Sequence, residues 1–250
     1  MRTRGPLVIG AALLLASSAT PALAQNGFLF QRPIGSLTLR AGPVMHSAGG
    51  DVFDFMTTEL TLDRGDFRAP SFGAELAIAL HDRADIVVGL SRAETESRSE
   101  SREWVGEDDL PIEQVTRFMT LPITASLRFY PMPRVQRISD LAWVPARTTP
   151  YVGGGGGIVA YRLEQEGEFV DESDLSIFRD EFTSKGSGFT AHALAGMDHW
   201  FSPRVALNVE ARYTLGGASP EGDFRSGPGG QWESIDLGGF QAGVGLSFRW

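Results

Sequence analysis

The sequence predicts an all-β fold, a single eight-stranded antiparallel up-and-down transmembrane β-barrel preceded by a cleaved signal peptide. Three observations carry it. Bulky residues alternate with small or polar ones in run after run, and only a β-strand sorts such a period onto two faces. The connections between runs are long, then short, the rhythm of a barrel with tight turns at one end and extended loops at the other. One face of the runs is aliphatic with aromatics near its ends, while the other carries charges of both signs.

In chain order, Met1–Gln25 has the three parts of a secretory signal: Arg2 and Arg4, the apolar stretch Leu7–Ala16, and the small residues of Ala22-Leu23-Ala24. An apolar run of about ten residues is too short to span a bilayer, which needs ~20. Cleavage is expected after Ala24, giving a signal at 1–24 and one barrel domain at 25–250. The first strand sets Leu37, Leu39 and Ala41 against Ser36, Thr38 and Arg40. A second opposes Ala74, Leu76, Ile78 and Leu80 to Glu75, Ala77 and Ala79, and a third opposes Ile86, Val88 and Leu90 to Val87, Gly89 and Ser91. In Thr120–Phe129 the bulky set is Leu121, Ile123, Ala125, Leu127 and Phe129, facing away from Pro122, Thr124, Ser126 and Arg128.

Pro150–Leu163 contains Gly153–Gly157, which suits either a sharply curved strand or a flexible loop. Phe189–Phe201 alternates weakly. Val205, Leu207, Val209, Ala211 and Tyr213 then oppose Ala206, Asn208, Glu210, Arg212 and Thr214, and the last strand sets Phe240, Ala242, Val244, Leu246, Phe248 and Trp250 against Gly239, Gln241, Gly243, Gly245, Ser247 and Arg249. Long connections are expected at Met45–Pro70, Glu94–Thr116, Glu164–Gly186 and Gly216–Asp236. Short ones fall at His81–Arg83 and Ser202–Arg204, with a middling one at Pro131–Thr148. The alternating Glu94–Arg102 run can extend two strands as a polar ribbon.

The facing follows from the charges. Arg40, Glu75, Arg128, Glu210 and Arg212 all fall on the less bulky face. Turned inward, they must pair, because an isolated buried charge is too costly. The predicted arrangement is therefore apolar side out, with these five as a charge network filling the lumen. The opposite facing, a soluble barrel with an apolar interior, is the rival.

The final strand Gly239–Trp250, the stretch Glu210–Tyr213, and the strand–loop rhythm resemble the small outer-membrane β-barrel families of Gram-negative-type bacteria, the OmpA, OmpX and OmpW barrels. The resemblance covers Leu37–Trp250 and implies export through the periplasm into the outer membrane. It also implies that Gly245, Phe248 and Trp250 form the signal read by the outer-membrane assembly machinery, with Gly243 where a polar residue is usual. Outer-membrane lipid and that machinery are then the expected partners.

The chain has no Cys, so disulfides, thiolate catalysis and Cys-ligated metals are excluded. A formal net charge of −9 argues against nucleic acid as a partner. The acid-rich loops, with Glu107-Asp108-Asp109 and Asp171-Glu172-Ser173-Asp174, offer oxygen ligands for divalent cations but lack the spacing of a calcium loop. Of four His, His192 falls on the inward phase near Glu210, and Asp198-His199 is similar to the Asp–His pairing of outer-membrane proteases. The first loop is apolar at Val52, Phe53, Phe55, Met56 and Leu60, suited to packing over the barrel mouth, to contact with lipid at the interface, or to lining a site for a small hydrophobic ligand.

No cofactor, metal centre or active site is expected. The function read from the sequence is structural or surface-interaction. The alternatives are a narrow channel for small or hydrophobic solutes, a lipid- or peptide-processing enzyme, and a soluble barrel binding apolar ligands.

Overall fold

A computed structural model of the chain describes residues 33–250, apart from 107–108, 140–141, 172–173, 175 and 226–231. The expected signal peptide at 1–24 lies outside the described residues, as do Glu107, Asp108, Glu172 and Ser173 of the acidic clusters.

Eight antiparallel strands close into a ring. They are β1 (Gly35–His46), β2 (Arg68–His81), β3 (Ala84–Val105), β4 (Pro111–Phe129), β7 (Thr148–Val170), β8 (Ile177–Trp200), β9 (Val205–Ala218) and β11 (Gly239–Arg249). Each pairs with the next, and β11 pairs with both β9 and β1, so no edge remains. The middling connection holds its own small hairpin, β5 (Val135–Ser139) with β6 (Ala142–Pro145), outside the ring. A two-residue strand, β10 (Ile235–Asp236), lies against the end of β9. The five-glycine run is strand within β7, paired to both neighbours, not a loop.

Directly paired residues share a face, so the registers settle the facing. Leu37, Leu76, Val88, Ile123, Leu127, Val209, Val244 and Leu246 are all exposed on the outside. Their alternation partners point inward, and among them Arg128 and Glu210 are each only 3% exposed. The outer apolar band ends where exposed Arg68, Arg92 and Glu94 begin, and Phe129, Phe201, Phe248 and Trp250 are exposed toward its turn end. An aliphatic band with aromatics at its border matches the lipid-facing surface of a membrane barrel.

Two stretches expected as long connections are largely strand, the first in keeping with the polar ribbon expected at Glu94–Arg102. β3 and β4 continue their pairing beyond Glu94↔Met119 to Val105↔Pro111. β7 and β8 run on from Arg162↔Lys185 to Val170↔Ile177, so most of Glu164–Gly186 is ribbon. The reason is that both faces of these ribbons meet water near their tips, so the hydrophobic alternation that marks a strand fades while the backbone pairing persists. The first loop folds into α1 (Asp51–Glu59), whose Val52, Phe53 and Met56 are buried. They join Leu60, Leu62, Phe67, Phe118, Leu163 and Ile235 in the main apolar core, which sits across the loop end of the barrel. Phe53 meets both Phe67 and Phe118 edge to face, with ring centroids at 4.8 and 5.3 Å.

Candidate functional site

Below this cap the barrel interior is filled in layers. Arg40 from β1 donates to Glu75 Oε2 at 2.9 Å, Glu210 Oε1 at 2.8 Å and Asn208 Oδ1 at 2.8 Å. Arg128 from β4 donates to Glu210 Oε2 at 2.7 Å and also to Glu75. Arg212 donates to Glu75 Oε1 at 2.5 Å and Glu210 Oε1 at 2.9 Å. Three guanidinium groups thus surround two carboxylates, and the structure brings together all five of the inward charges named from the sequence.

Two further groups belong to this cluster. Tyr151 donates its hydroxyl to Glu210 Oε2 at 2.9 Å, with the Arg128 guanidinium 4.6 Å from its ring centroid. Asn208 donates to the Tyr151 oxygen at 2.8 Å and to Asp198 Oδ1 at 2.7 Å. Asn208 was legible, being two residues from Glu210 on the same strand face. Tyr151 was hidden because the adjoining glycines carry no phase. Nearer the turns, Arg134 Nη1 lies 2.7 Å from Asp85 Oδ2 and stacks over Tyr130. Arg249 stacks over Trp200 at 3.6 Å.

Gly243 and Gly245 make room for this packing. A Cβ on Gly243 would lie 2.8 Å from Arg40 Cδ, which accounts for glycine at a position where a polar side chain is usual. A Cβ on Gly245 would meet the Leu39 carbonyl oxygen at 2.3 Å. Phe248 and Trp250 are exposed on the outer face of the barrel's turn end.

Between charge cluster and cap lies a polar cavity of about 40 Å³, lined in part by His46, Ser71, Thr190 and Arg212. The Thr190 hydroxyl lacks a partner there, and the space is large enough for an ordered water. Ser126 Oγ and His192 Nε2 are 2.7 Å apart, a nucleophile–base spacing. His192 Nδ1 has no partner to orient the ring, and both residues are buried. Asp198 is buried inside whereas His199 hydrogen-bonds Thr148 at 3.0 Å from the opposite face. Neighbours on a strand diverge, so Asp198 and His199 form no dyad. Among the described residues no group of three or more His, Asp and Glu side chains is arranged to hold a metal ion.

A recess in the crown, open to water, has a volume of about 450 Å³. Phe55, Trp104, Phe169, Phe182, Phe224 and Trp232 line it. The Phe55 and Trp232 rings are 4.6 Å apart, as are Phe169 and Phe182. Its floor includes Gln114 and Gln165, which are hydrogen-bonded to each other and buried. Only Phe55 of this set belongs to the apolar first loop noted in the sequence. The rest come from ribbons and later loops, whose convergence no local pattern announces.

No protein-family model matches the chain, and no characterised protein matches it in sequence. Solved structures do. The outer membrane protein OprG from Pseudomonas aeruginosa is 15% identical with a TM-score of 0.51, over 89% of this chain and 99% of that one. Neisserial surface protein A is 12% identical with a TM-score of 0.47, over 90% and 98%. The outer membrane protease OmpT from Escherichia coli is 8% identical with a TM-score of 0.36, over 90% and 99%. The likeness to OprG, at that identity, shows the fold alone. Together with the closed ring and its apolar outer band, it shows that the chain has the fold of the small eight-stranded outer-membrane β-barrels.

Proposed function

We propose that this barrel is a closed, non-catalytic surface-interaction protein that acts through its extracellular crown. The observation supporting this is the double obstruction of the lumen, by the Arg–Glu cluster at mid-barrel and by the α1 cap above it. Three guanidinium groups locked to two carboxylates obstruct the lumen, and the Ser126–His192 pair is buried within it. The long ribbons and the aromatic cleft, by contrast, stand in water beyond the membrane, where recognition happens. In this reading Gly245, Phe248 and Trp250 are the stretch read by the assembly machinery, and lipid is the partner of the outer band.

Planar-bilayer recording of the wild type and of Glu210→Ala tests the proposal. The wild type should show near-zero conductance. Discrete, reproducible openings in the wild type would replace this reading with that of a narrow channel.

A further inference from the structure

We infer that the crown cleft binds a small organic cation with an apolar or aromatic body, an inference that rests on the crown being the acting part of the molecule. The aromatic lining alone would accept any apolar guest. What selects among guests is the charge at its walls. Glu59, Glu103 and Asp223 line the cleft, and no Lys, Arg or His does so among the described residues. Of the cations adjacent in sequence to lining residues, Arg102, beside Glu103, is tied by its Nε to the Leu60 carbonyl at 2.6 Å, and Arg225, beside Phe224, is exposed and does not line the cleft. Asp223 is held by the backbone N–H of Thr183 at 2.9 Å. Glu59 and Glu103 form no ion pair among the described residues, so their charge is free to act on a guest.

Ring faces carry negative electrostatic potential and attract a cation placed over them, most strongly for Trp, and here two Trp rings are present. Carboxylates beside such rings add attraction for the same sign of charge and repel an anion. A neutral apolar guest would gain nothing from them. The volume of about 450 Å³ lies within the range of small-molecule sites. Exposed Glu103 and Trp104 stand at the opening, so entry needs no movement of the barrel.

The test is a tryptophan-fluorescence titration of the full chain in zwitterionic-lipid nanodiscs at low ionic strength. The probes are benzyltrimethylammonium and, as its uncharged counterpart, benzyl alcohol. Benzyltrimethylammonium should saturate at a concentration at least ~10-fold lower than benzyl alcohol, and Glu59→Gln combined with Glu103→Gln should remove most of that advantage. Both carboxylates are on the surface of the crown, so the double variant keeps its heat-modifiable barrel. Equal binding of the two probes, unchanged in the double variant, overturns the cation inference while the crown still acts as a binding surface. No response to either probe overturns the inference and removes the cleft as the recognition site, leaving the closed lumen to be judged by conductance.

Discussion

Arg128 on β4 and Glu210 on β9 meet across the lumen at 2.7 Å, although two strands, β7 and β8, separate them around the ring. The contact spans the barrel, and it exists because an eight-stranded ring is narrow enough for opposing side chains to meet. Each side chain is nearly fully buried, so neither can fall back on water if its partner is removed.

Glu210→Ala therefore leaves Arg40, Arg128 and Arg212 around a single carboxylate. Breaking a buried pair from one side costs about 3–5 kcal/mol. Urea unfolding in lipid vesicles, followed by loss of the heat-modifiable band, should shift by that order. Arg92→Ala, which removes an exposed partner of Glu94 on the outer rim, should shift it by less than ~1 kcal/mol.

The cap should be separable from the charge cluster. Phe53→Ala removes a fully buried ring that contacts Phe67 and Phe118, a change costing about 3–5 kcal/mol where the site cannot collapse. Because the Arg–Glu layer lies below, conductance should stay near zero. Trypsin cleavage at exposed Arg64 should accelerate, while the barrel stays heat-modifiable.

Within the glycine run of β7, the two phases should respond differently. A Cβ on Gly155 would lie 2.0 Å from the Ala125 carbonyl oxygen, whereas one on Gly154 has its nearest neighbour at 3.1 Å, the His192 carbonyl oxygen. Gly155→Ala must push β7 away from β4, at a cost of at least the ~1–3 kcal/mol of overpacking. Folding yield into vesicles should fall for Gly155→Ala and change little for Gly154→Ala.

In the β3–β4 ribbon, Arg117 hydrogen-bonds Glu96 at 2.8 Å and holds its carboxyl below the ordinary glutamate range, through that bond first and its charge second. A lowered folded-state value means the pair supports the ribbon above the ordinary glutamate range and is lost as pH falls through the lowered value. NMR titration of the Glu96 carboxyl should show the depressed midpoint, and Arg117→Ala should restore the ordinary one. Added salt should narrow the difference, since both groups are exposed.

Much of this architecture was readable before the structure. Val205–Tyr213 and Gly239–Trp250 announce their strands because one face meets lipid and the other a packed lumen, which makes the alternation strong. The same contrast marks Arg40, Glu75, Arg128, Glu210 and Arg212 as inward. It cannot say which carboxylate each arginine meets, because that depends on the stagger of strands around the ring. Glu164–Gly186 read as loop because a ribbon in water no longer needs an apolar face. The cleft was invisible for a related reason: Phe55, Trp104, Phe169 and Trp232 come from four separate segments, and only the closed ring brings those segments together.

The facing of the strands underlies every other claim, and the absence of native Cys makes it directly measurable. Single cysteines placed at Leu246 and Val244 on the outer band and at Arg98 on the ribbon, each spin-labelled in lipid bilayers, would report collisions with oxygen and with a water-soluble nickel chelate. Labels at Leu246 and Val244 should collide with oxygen and be shielded from nickel, and the label at Arg98 should do the reverse. Nickel-accessible, oxygen-poor labels at Leu246 and Val244 would put that face in water and contradict the membrane barrel.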